Sequence, residues 1–350
     1  MRIEKLVAPC KDYIWGGNKL KEKYGKETEL SPCAESWELS YHKDGLTRLS
    51  DGRTLAEGFS AEELGENVKD FEFFPMLIKF IDAENNLSIQ VHPSDDYALK
   101  NENSFGKTEM WYVVEAEKGA GLYVGFKDSV TKEEYVAAIK ENRLTDLLNF
   151  YHVKSGETYF IPSGTVHAIC KGCLICEIQQ NSNLTYRVYD YGRVDKSGNP
   201  RELHIDKALL ASDLGAYSYR TLNVSTDEGE LLGISKYFTV SKLCVKGKRT
   251  LECDKGSFRC VTCVEGEGTI GGRIIRRGDS YIVSASDDTV LINGEMTLII
   301  SSVRKYCVES DLTSAKITDD LGNLIISDCT SVDDLLSNVN LTRSDVDIIK

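Results

Sequence analysis

Short apolar segments bounded by turn residues recur through the first part of the chain, and they constrain the fold more than any other feature. They are five to eight residues long and rich in β-branched and aromatic side chains, as buried β-strands are. The segments are Phe74–Ile81, Leu87–Val91, Met110–Val114, Gly121–Gly125, Glu157–Ile161, Leu174–Ile178 and Thr185–Tyr189. Many short strands of this kind are typical of sandwiches and barrels, so the sequence predicts a mainly β fold.

Two capping boxes predict helices between these strands. Ser60 with Glu63, and Thr131 with Glu134, place a hydroxyl and a carboxylate three residues apart, where each satisfies a backbone N–H of the first helical turn. Apolar residues follow the second box at roughly helical spacing. The sequence therefore predicts a small helical insertion at about 128–150.

One internal repeat indicates two barrels built on the same plan. Gly156–Gly164 aligns with Gly278–Ser286 in residue type, and the second barrel is predicted over about 235–305. Where the first copy continues to His167, the second has Thr289, and no histidine follows His204. The second barrel is therefore predicted to hold no histidine-based metal site.

These features divide the chain into three predicted regions. Residues 1–234 form a larger β domain with the helical insertion, which the motifs described below make the predicted catalytic domain; 235–305 form the smaller metal-free β-barrel, and 306–350 form a tail of unassigned role. The tail is rich in Asp, Ser and Asn, with a possible amphipathic stretch at Val332–Val339.

Composition limits the classes of partner. The 350 residues include 42 Lys and Arg against 55 Asp and Glu, a formal charge of −13. So acidic a chain is a poor general binder of nucleic acid or anionic membrane, although a local basic pocket can still hold a small anion. The sequence shows no apolar leader and no apolar run long enough to span a membrane. Its eleven cysteines are scattered, and reduced thiols are their simplest interpretation, so we expect a cytoplasmic protein. The oligomeric state cannot be read from the sequence.

The densest functional pattern combines three short motifs. Gln90 and His92 lie two apart on a predicted strand and so share a face, while Glu109 and His167 lie at strand ends. Two imidazoles, a carboxylate and an amide oxygen suit Zn²⁺ with a position left for water or substrate. Mn²⁺ or Fe²⁺ would suit the same ligands, and buried histidines of purely structural role are the alternative.

Two weaker motifs are rejected. Cys170, Cys173 and Cys176 suggest a thiolate site by spacing, but on a strand Cys173 faces away from the other two. Residues 266–271 (GEGTIG) match a dinucleotide fingerprint by letter, yet a strand and turn follow rather than a helix. Without a helix N-terminus there is no phosphate-binding geometry.

The pattern Gly156-x5-Pro162-x-Gly164-x2-His167 resembles the second cupin motif, and the first cupin motif is present in altered form, with Gln90 in place of its leading histidine. That alteration is similar to the type I mannose-6-phosphate isomerase family in its shorter bacterial form. The resemblance covers about residues 1–305 in order. Its other motifs are Trp15–Gly17, Ala34–Glu38, Leu77–Ile81, Leu87–Pro93, Gly106–Tyr112 and Tyr186–Arg187.

The resemblance implies cupin-type (jelly-roll) barrels and a set of site residues. Gln90, His92, Glu109 and His167 would match the family's zinc ligands, one Zn²⁺ per chain, and Arg187 its active-site arginine. Lys79, Ser88, Lys107 and Glu177 fall where the family has other pocket residues. Ile169 departs from the tyrosine of longer members, so the pocket wall is expected to differ.

The implied activity is interconversion of D-mannose 6-phosphate and D-fructose 6-phosphate through a cis-enediol(ate). Arg187 suits the enediolate or the phosphate, Glu177 is a candidate base, and Lys79 or Lys107 suits the phosphate or a neighbouring carboxylate. Arg187, Glu177 and Lys107 are thus the predicted catalytic residues, and Lys79 and Ser88 the predicted substrate-binding residues. The alternatives are another cupin metalloenzyme acting on a different sugar phosphate, or a non-catalytic sugar-phosphate-binding cupin.

Overall fold

A computed structural model of the chain describes residues 1–194, 197–218, 222, 224–310, 314–329, 331–339 and 341–349. The described chain is mainly β, as predicted. Its strands are β1 Ile3–Val7, β2 Cys10–Lys11, β3 Glu35–Leu39, β4 Arg48–Leu49, β5 Met76–Ala83, β6 Ile89–Val91, β7 Glu109–Ala116, β8 Gly121–Phe126, β9 Leu148–His152, β10 Thr158–Ile161, β11 His167–Ile169, β12 Cys173–Gln180, β13 Tyr186–Tyr189, β14 Val224–Thr226, β15 Gly229–Ile234, β16 Thr239–Glu252, β17 Arg259–Ile270, β18 Arg273–Arg276, β19 Ser280–Val283, β20 Thr289–Ser302, β21 Tyr306–Ser310, β22 Ala315–Asp319, β23 Leu324–Cys329 and β24 Asp347–Ile349.

The helices are short and lie between strands. They are α1 Lys19–Glu22, α2 Leu55–Gly58, α3 Ala61–Leu64, α4 Asp95–Glu102, α5 Lys132–Lys140, α6 Leu144–Leu147, α7 Ile205–Ala211 and α8 Val332–Val339, with 3₁₀ turns at Glu66–Asp70 and Arg343–Asp345. Both predicted capping boxes form, at Ser60 before α3 and at Thr131 before α5. The helical insertion is confirmed as α5 and α6.

The chain folds into two compact units, each assembled from separate stretches. The first unit comprises Cys10–Trp37 and Leu77–Tyr219, and the second comprises Met1–Pro9, Glu38–Met76 and Arg220–Lys350. The domain boundaries that the sequence predicts, 1–234, 235–305 and 306–350, stay a prediction, and so does the division into two barrels.

The first unit is built on two antiparallel sheets. One has the order β10-β7-β12-β5-β3-β2, and the other has the order β13-β6-β11-β8-β9. Inward side chains of both sheets share one core, in which Trp111 and Val113 of β7 pack with Leu122 and Val124 of β8. Helix α5 packs Tyr135 and Ile139 into a further core with β6 and β13. The two sheets therefore hold β5, β6, β7, β11, β12 and β13, which together carry six of the nine predicted site residues.

The second unit contains a nine-stranded sheet of order β14-β15-β16-β20-β17-β19-β1-β4, with β18 paired to β17, and a four-stranded sheet of order β23-β22-β21-β24. The dinucleotide-like segment 266–271 forms the end of β17 and the turn into β18, which confirms that no helix follows it. In the tail, Val332–Val339 forms α8, whose Leu335 and Leu336 pack into the core of the four-stranded sheet. The tail thus has a folded core, and its role stays unassigned.

The internal repeat has the same local structure in both copies. Gly156 and Gly278 adopt φ angles of 93° and 91°, a region that side chains with a Cβ rarely occupy. In each copy a four-residue strand begins two residues later, β10 and β19. Each strand is bordered by one long strand, β7 or β17. The repeat that the residue types predict is therefore a repeat of backbone geometry.

Candidate metal and substrate site

Strand pairing brings the four predicted metal ligands together in the first unit. Gln90 of β6 and His167 of β11 are direct antiparallel partners. His92 follows β6, and its carbonyl accepts a hydrogen bond of 2.7 Å from the N–H of Gly164, which ties the turn before β11 to the end of β6. Glu109 is the first residue of β7. Residues separated by up to 77 positions therefore meet where the strands end.

Three of these residues form a compact cluster, which we call the His-Glu-His cluster. His92 Nε2 lies 3.5 Å from Glu109 Oε2, and His167 Nε2 lies 3.3 Å from Glu109 Oε1. One ligand atom from each residue lies within 4.8 Å of the others, and all three side chains are buried. Across the described residues this is the one group of three or more His, Cys, Asp or Glu that could hold a metal ion, so the cysteine triplet 170–176 is not such a group.

Backbone carbonyls orient both imidazoles. His92 Nδ1 lies 2.8 Å from the carbonyl oxygen of Leu184, and His167 Nδ1 lies 2.8 Å from that of Thr165. A carbonyl can only accept, so each Nδ1 carries the proton and each Nε2 presents its lone pair to the cluster. A metal-ligating histidine needs this outer hydrogen bond to set its tautomer.

Burial keeps both imidazoles neutral. It lowers the pKa of His167 to about 4, with the charge of Lys107 acting in the same direction. Burial, helped by Lys107, also lowers the pKa of His92 well below its usual value. A neutral imidazole is the form that binds a metal, so the two histidines are prepared for coordination at neutral pH.

Gln90, the fourth predicted ligand, lies beside this cluster. Its amide nitrogen lies 3.4 Å from His167 Nε2, at the edge of the His-Glu-His cluster. Because amide oxygen and nitrogen occupy nearly the same volume, a half-turn of the amide places its oxygen at this position. The donor set of two imidazoles, one carboxylate and one amide oxygen therefore fits a divalent metal, and these four residues would hold it.

The ammonium group of Lys107 lies against this cluster. Its Nζ is 2.6 Å from Glu109 Oε2 and 3.1 Å from His92 Nε2. These are the atoms that a metal ion would use, so the lysine balances the carboxylate in the metal-free protein. A bound cation would compete with Lys107 for Glu109 and would free the ammonium group for a substrate.

Buried carboxylates and lysines continue the site beyond the metal ligands. Lys79 Nζ lies 3.7 Å from Glu35 Oε2 and 3.6 Å from Glu177 Oε2, while Lys107 Nζ lies 3.9 Å from Glu177 Oε1. Trp111 Nε1 donates a hydrogen bond of 2.9 Å to Glu177 Oε1. We call Lys79, Lys107, Glu35, Glu109 and Glu177 the lysine cluster.

The two neighbouring carboxylates of this cluster are electrostatically distinct. Burial opposes ionisation of Glu177, but Lys107 and Lys79 outweigh it and lower the pKa of Glu177 to about 2. Burial and the charge of Glu177 raise the pKa of Glu109 in the metal-free protein. A divalent ion would reverse that shift, because it favours the ionised carboxylate. Glu177 is therefore an ionised acceptor at neutral pH, as a general base must be.

A cavity of about 390 Å³ opens beside these groups, within the size range of small-molecule sites. All five predicted residues outside the metal shell line it, together with Gln90. Its lining is Tyr13, Trp15, Glu35, Lys79, Ile81, Leu87, Ser88, Gln90, Lys107, Trp111, Ile169, Glu177, Asn183, Leu184, Thr185, Arg187 and Arg201. The structure thus brings Lys79, Ser88, Lys107, Glu177 and Arg187 to one cavity, and Ile169 forms part of its wall.

Arg187 lies beside the predicted metal ligand Gln90 along the sheet. It is paired with Gln90 across β13 and β6, so the two side chains leave the same face. Its Nη1 donates a hydrogen bond of 2.9 Å to the carbonyl oxygen of Glu202. Its buried Nε has no hydrogen-bond partner within the described residues. Burial and then the charge of Arg201 lower its pKa, although a guanidinium stays charged at any physiological pH.

Sequence reasoning missed four residues of this region, namely Glu35, Trp111, Asp190 and Arg201. Glu35 and Trp111 lie inside the motifs Ala34–Glu38 and Gly106–Tyr112, whose residue types alone do not indicate a role for either. The close succession of Arg187, Asp190 and Arg193 was a signal of a charge network. Nothing in the sequence predicted that Arg201 belongs to this network. Arg201 comes close to Asp190 through an isolated bridge between Val194 and Pro200, which is visible only in the folded chain.

The lowered pKa of His167 predicts an acid-sensitive contribution to stability. Below pH 6.5 the unfolded chain protonates this histidine, whereas the folded protein keeps it neutral to about pH 4, so stability falls as the pH falls. We expect the metal-free wild type to lose about 3 kcal/mol more free energy of unfolding than His167→Asn between these two pH values. Urea denaturation at both pH values measures this. His152→Asn, at an exposed position, should show the same loss of free energy of unfolding as the wild type. If His167→Asn loses as much free energy of unfolding between the two pH values as the wild type does, the prediction is wrong.

No helix in the described ranges is long and apolar enough to span a membrane.

Comparison with protein families gives two matches. The model of "Phosphomannose isomerase type I, catalytic domain" matches residues 3–120, and the model of "Mannose-6-phosphate isomerase, cupin domain" matches residues 228–303. The first match contains Gln90, His92, Lys107 and Glu109. Neither match extends past residue 303.

Curated relatives and solved structures agree with these matches. The chain is 34% identical to mannose-6-phosphate isomerase of Streptococcus mutans, over 82% of this chain and 94% of the relative. It is also 34% identical to mannose-6-phosphate isomerase ManA of Bacillus subtilis, over 83% of this chain and 96% of the relative. The crystal structure of mannose 6-phosphate isomerase from Bacillus subtilis superposes with a TM-score of 0.77 at 33% identity, over 86% of this chain and 99% of that one.

Proposed function

The chain belongs to the type I phosphomannose isomerase family, and we propose that its cavity interconverts D-mannose 6-phosphate and D-fructose 6-phosphate. The observation that carries this proposal is the His-Glu-His cluster of the first unit, with Gln90 at its edge and an ionised Glu177 and Arg187 in the adjoining cavity. The aldose–ketose conversion moves a proton between C2 and C1 through a cis-enediol(ate). It needs a base, a source of positive charge for the enediolate oxygen, and a binding site for the phosphate.

We propose that Gln90, His92, Glu109 and His167 hold one divalent metal ion per chain and that this ion is zinc. The neutral imidazole nitrogens and the carboxylate suit Zn²⁺, and no thiolate is required. When bound, the ion supplies Lewis acidity toward the oxygens of the sugar. Lys107 adds a further positive charge next to Glu109.

Glu177 is the proposed proton carrier. Lys79 and Lys107 keep it ionised, and Trp111 fixes its Oε1. Its Oε2 lies 3.6 Å from Lys79 Nζ, and we propose that this ionised carboxylate takes the proton from the substrate carbon. Lys107, which contacts both Glu109 and His92, is placed to hold or donate a proton at the sugar oxygens.

Arg187 is the proposed stabiliser of the enediolate. Strand pairing sets it beside the metal ligand Gln90, and its permanent charge faces the cavity. The hydroxyl oxygen of Ser88 lies 3.4 Å from the side-chain amide of Gln90, and we propose that Ser88 binds a sugar hydroxyl. Lys79 lines the same cavity and is proposed to bind substrate. Because Glu35 and Glu177 both lie within 4.0 Å of its ammonium group, its main electrostatic effect is to neutralise Glu177. A cytoplasmic location is proposed because the cysteines are odd in number and scattered along the chain, as is typical of proteins that keep reduced thiols.

Chelation followed by reloading tests this function. We expect purified protein treated with a chelator to lose isomerase activity on mannose 6-phosphate by at least about 100-fold, because the proposed metal ligands hold the electrophile. Addition of one equivalent of Zn²⁺ should restore it. A coupled assay that follows fructose 6-phosphate measures the rate, and metal content is determined on the same samples.

Two results would contradict the proposal. A folded, zinc-loaded sample with no activity on mannose 6-phosphate would exclude this substrate. Full activity in a sample whose metal content has been shown to be negligible would exclude the metal requirement. Parallel assays with Mn²⁺ and Fe²⁺ decide between zinc and the other divalent ions.

A further inference from the structure

The charges around the cavity are unevenly distributed. The lysine cluster sets three carboxylates, Glu35, Glu109 and Glu177, against two ammonium groups, so each lysine already has a carboxylate within 4.0 Å. The excess of negative charge in this cluster suits an added divalent cation. It does not suit a phosphate dianion, which would face three carboxylates at short range.

The opposite balance occurs where β13 leaves its sheet. Arg187, Arg193 and Arg201 are neighbours there. Arg193 and Arg201 both pair with the carboxylate of Asp190, which is 6% exposed, and Arg187 lies within the electrostatic influence of Arg201 and Asp190. We call these four residues the arginine cluster. Arg193 turns its Nη1 to the carbonyl of Asn86, whereas Arg187 and Arg201 line the cavity. Two guanidinium groups therefore face the cavity from a cluster with excess positive charge.

We propose that Arg201 is a phosphate-binding residue of this enzyme, held in place by Asp190, while Arg187 acts at the reacting end of the sugar. This inference rests on the proposed function and assigns a part of that site. It separates the two cavity-facing arginines by role, which neither their residue type nor their sequence context does.

The geometry of Arg201 fits this role. Its Nε lies 2.7 Å from Asp190 Oδ2 and its Nη2 lies 2.5 Å from Asp190 Oδ1, a bidentate pair that fixes the plane of the guanidinium. The edge formed by Nη1 and Nη2 can then bind a phosphate with two hydrogen bonds. Because this pair is bidentate, the guanidinium of Arg201 is oriented before the substrate arrives.

Arg187 occupies a different position relative to the metal ligands. It pairs with Gln90 across β13 and β6, which places it beside the atoms that act on C1 and C2. Its Nη1 donates to the carbonyl of Glu202, the residue after Arg201, so the two arginines are adjacent along the cavity wall. A substrate whose reacting carbons lie at Gln90 and Arg187 would direct its far, phosphorylated end toward Arg201.

The test compares Arg201→Ala with Arg193→Ala in zinc-loaded protein. Both arginines pair with Asp190, but only Arg201 lines the cavity, so Arg193→Ala controls for loss of the ion pair. We expect Arg201→Ala to raise KM for mannose 6-phosphate about 10- to 100-fold with kcat changed less than about threefold, because one charge-assisted contact to the phosphate is lost. Arg201→Lys should recover part of the affinity.

Inorganic phosphate gives a readout that is independent of turnover. Calorimetric titration should show about 10- to 100-fold weaker phosphate binding in Arg201→Ala and wild-type binding in Arg193→Ala. If Arg201→Ala binds phosphate and substrate as the wild type does, or if Arg193→Ala shows the same losses, the assignment is wrong. If the wild type has no isomerase activity, the proposed function fails, and the calorimetric comparison still decides the role of Arg201.

Discussion

Arg187→Ala is expected to lower kcat for mannose 6-phosphate by about 10²- to 10³-fold, the usual cost of removing one group that stabilises developing negative charge. The charge of Arg187 faces the cavity beside Gln90, where the enediolate oxygen forms in the proposed reaction. Because the enediolate carries more negative charge than the ground-state sugar, the loss should be mainly in kcat and less in KM. Steady-state kinetics on zinc-loaded protein measures both.

Folding and metal content separate this role from a structural one. Arg187 Nη1 donates a hydrogen bond to the carbonyl of Glu202, and within the described residues the side chain of Arg187 bonds to none of the proposed metal ligands, so Arg187→Ala should retain zinc and a wild-type melting temperature. Arg193→Ala, an arginine of the same cluster that does not line the cavity, is the matched control and should turn over normally. Near-wild-type turnover of Arg187→Ala would remove Arg187 from the mechanism. Loss of zinc would instead make it part of the metal site.

His92→Ala is expected to lower the bound zinc to a small fraction and kcat/KM by at least about 10³-fold, because the Lewis acid contributes several kcal/mol to such a reaction. The change removes one of three ligand groups that converge within 4.8 Å. It also leaves Lys107 as the nearest cation to Glu109, which favours the metal-free arrangement. Metal analysis and kinetics on the same preparation measure both effects.

The control for this variant is His152→Ala. His152 ends β9 in the same unit, but its side chain is exposed and contacts the ring of Phe150 rather than the cluster. It should bind one zinc and turn over at the wild-type rate. If His92→Ala keeps stoichiometric zinc, the ligand set proposed here is wrong, whereas zinc loss with full activity would show that the metal is structural.

The convergence of the proposed metal ligands could be predicted from the sequence because local rules decide where these residues lie. Alternation along a strand puts Gln90 and His92 on one face, and the turn that ends at Gly164 places His167 at the start of the next strand. These rules act over a few residues and do not depend on the rest of the fold. The same applies to the capping boxes at Ser60 and Thr131, which form as predicted.

The electrostatic roles could not be predicted, because charge interactions depend on distances that only the folded chain sets. Lys79 was open to phosphate binding or to neutralisation of a carboxylate, and only its placement between Glu35 and Glu177 favours the latter. The same placement keeps Glu177 ionised in a buried site, where an isolated glutamate would be protonated.

Residue type, spacing and turn chemistry therefore determined, from the sequence alone, that the chain is mainly β and which residues could bind a metal. The tertiary structure decided the assembly of two units from interleaved stretches of chain, and the meeting of Asp190 with Arg201. Short-range backbone preferences act within a few residues and are visible in the sequence. Burial and Coulomb interactions act through space, so they take their values only after distant strands have paired.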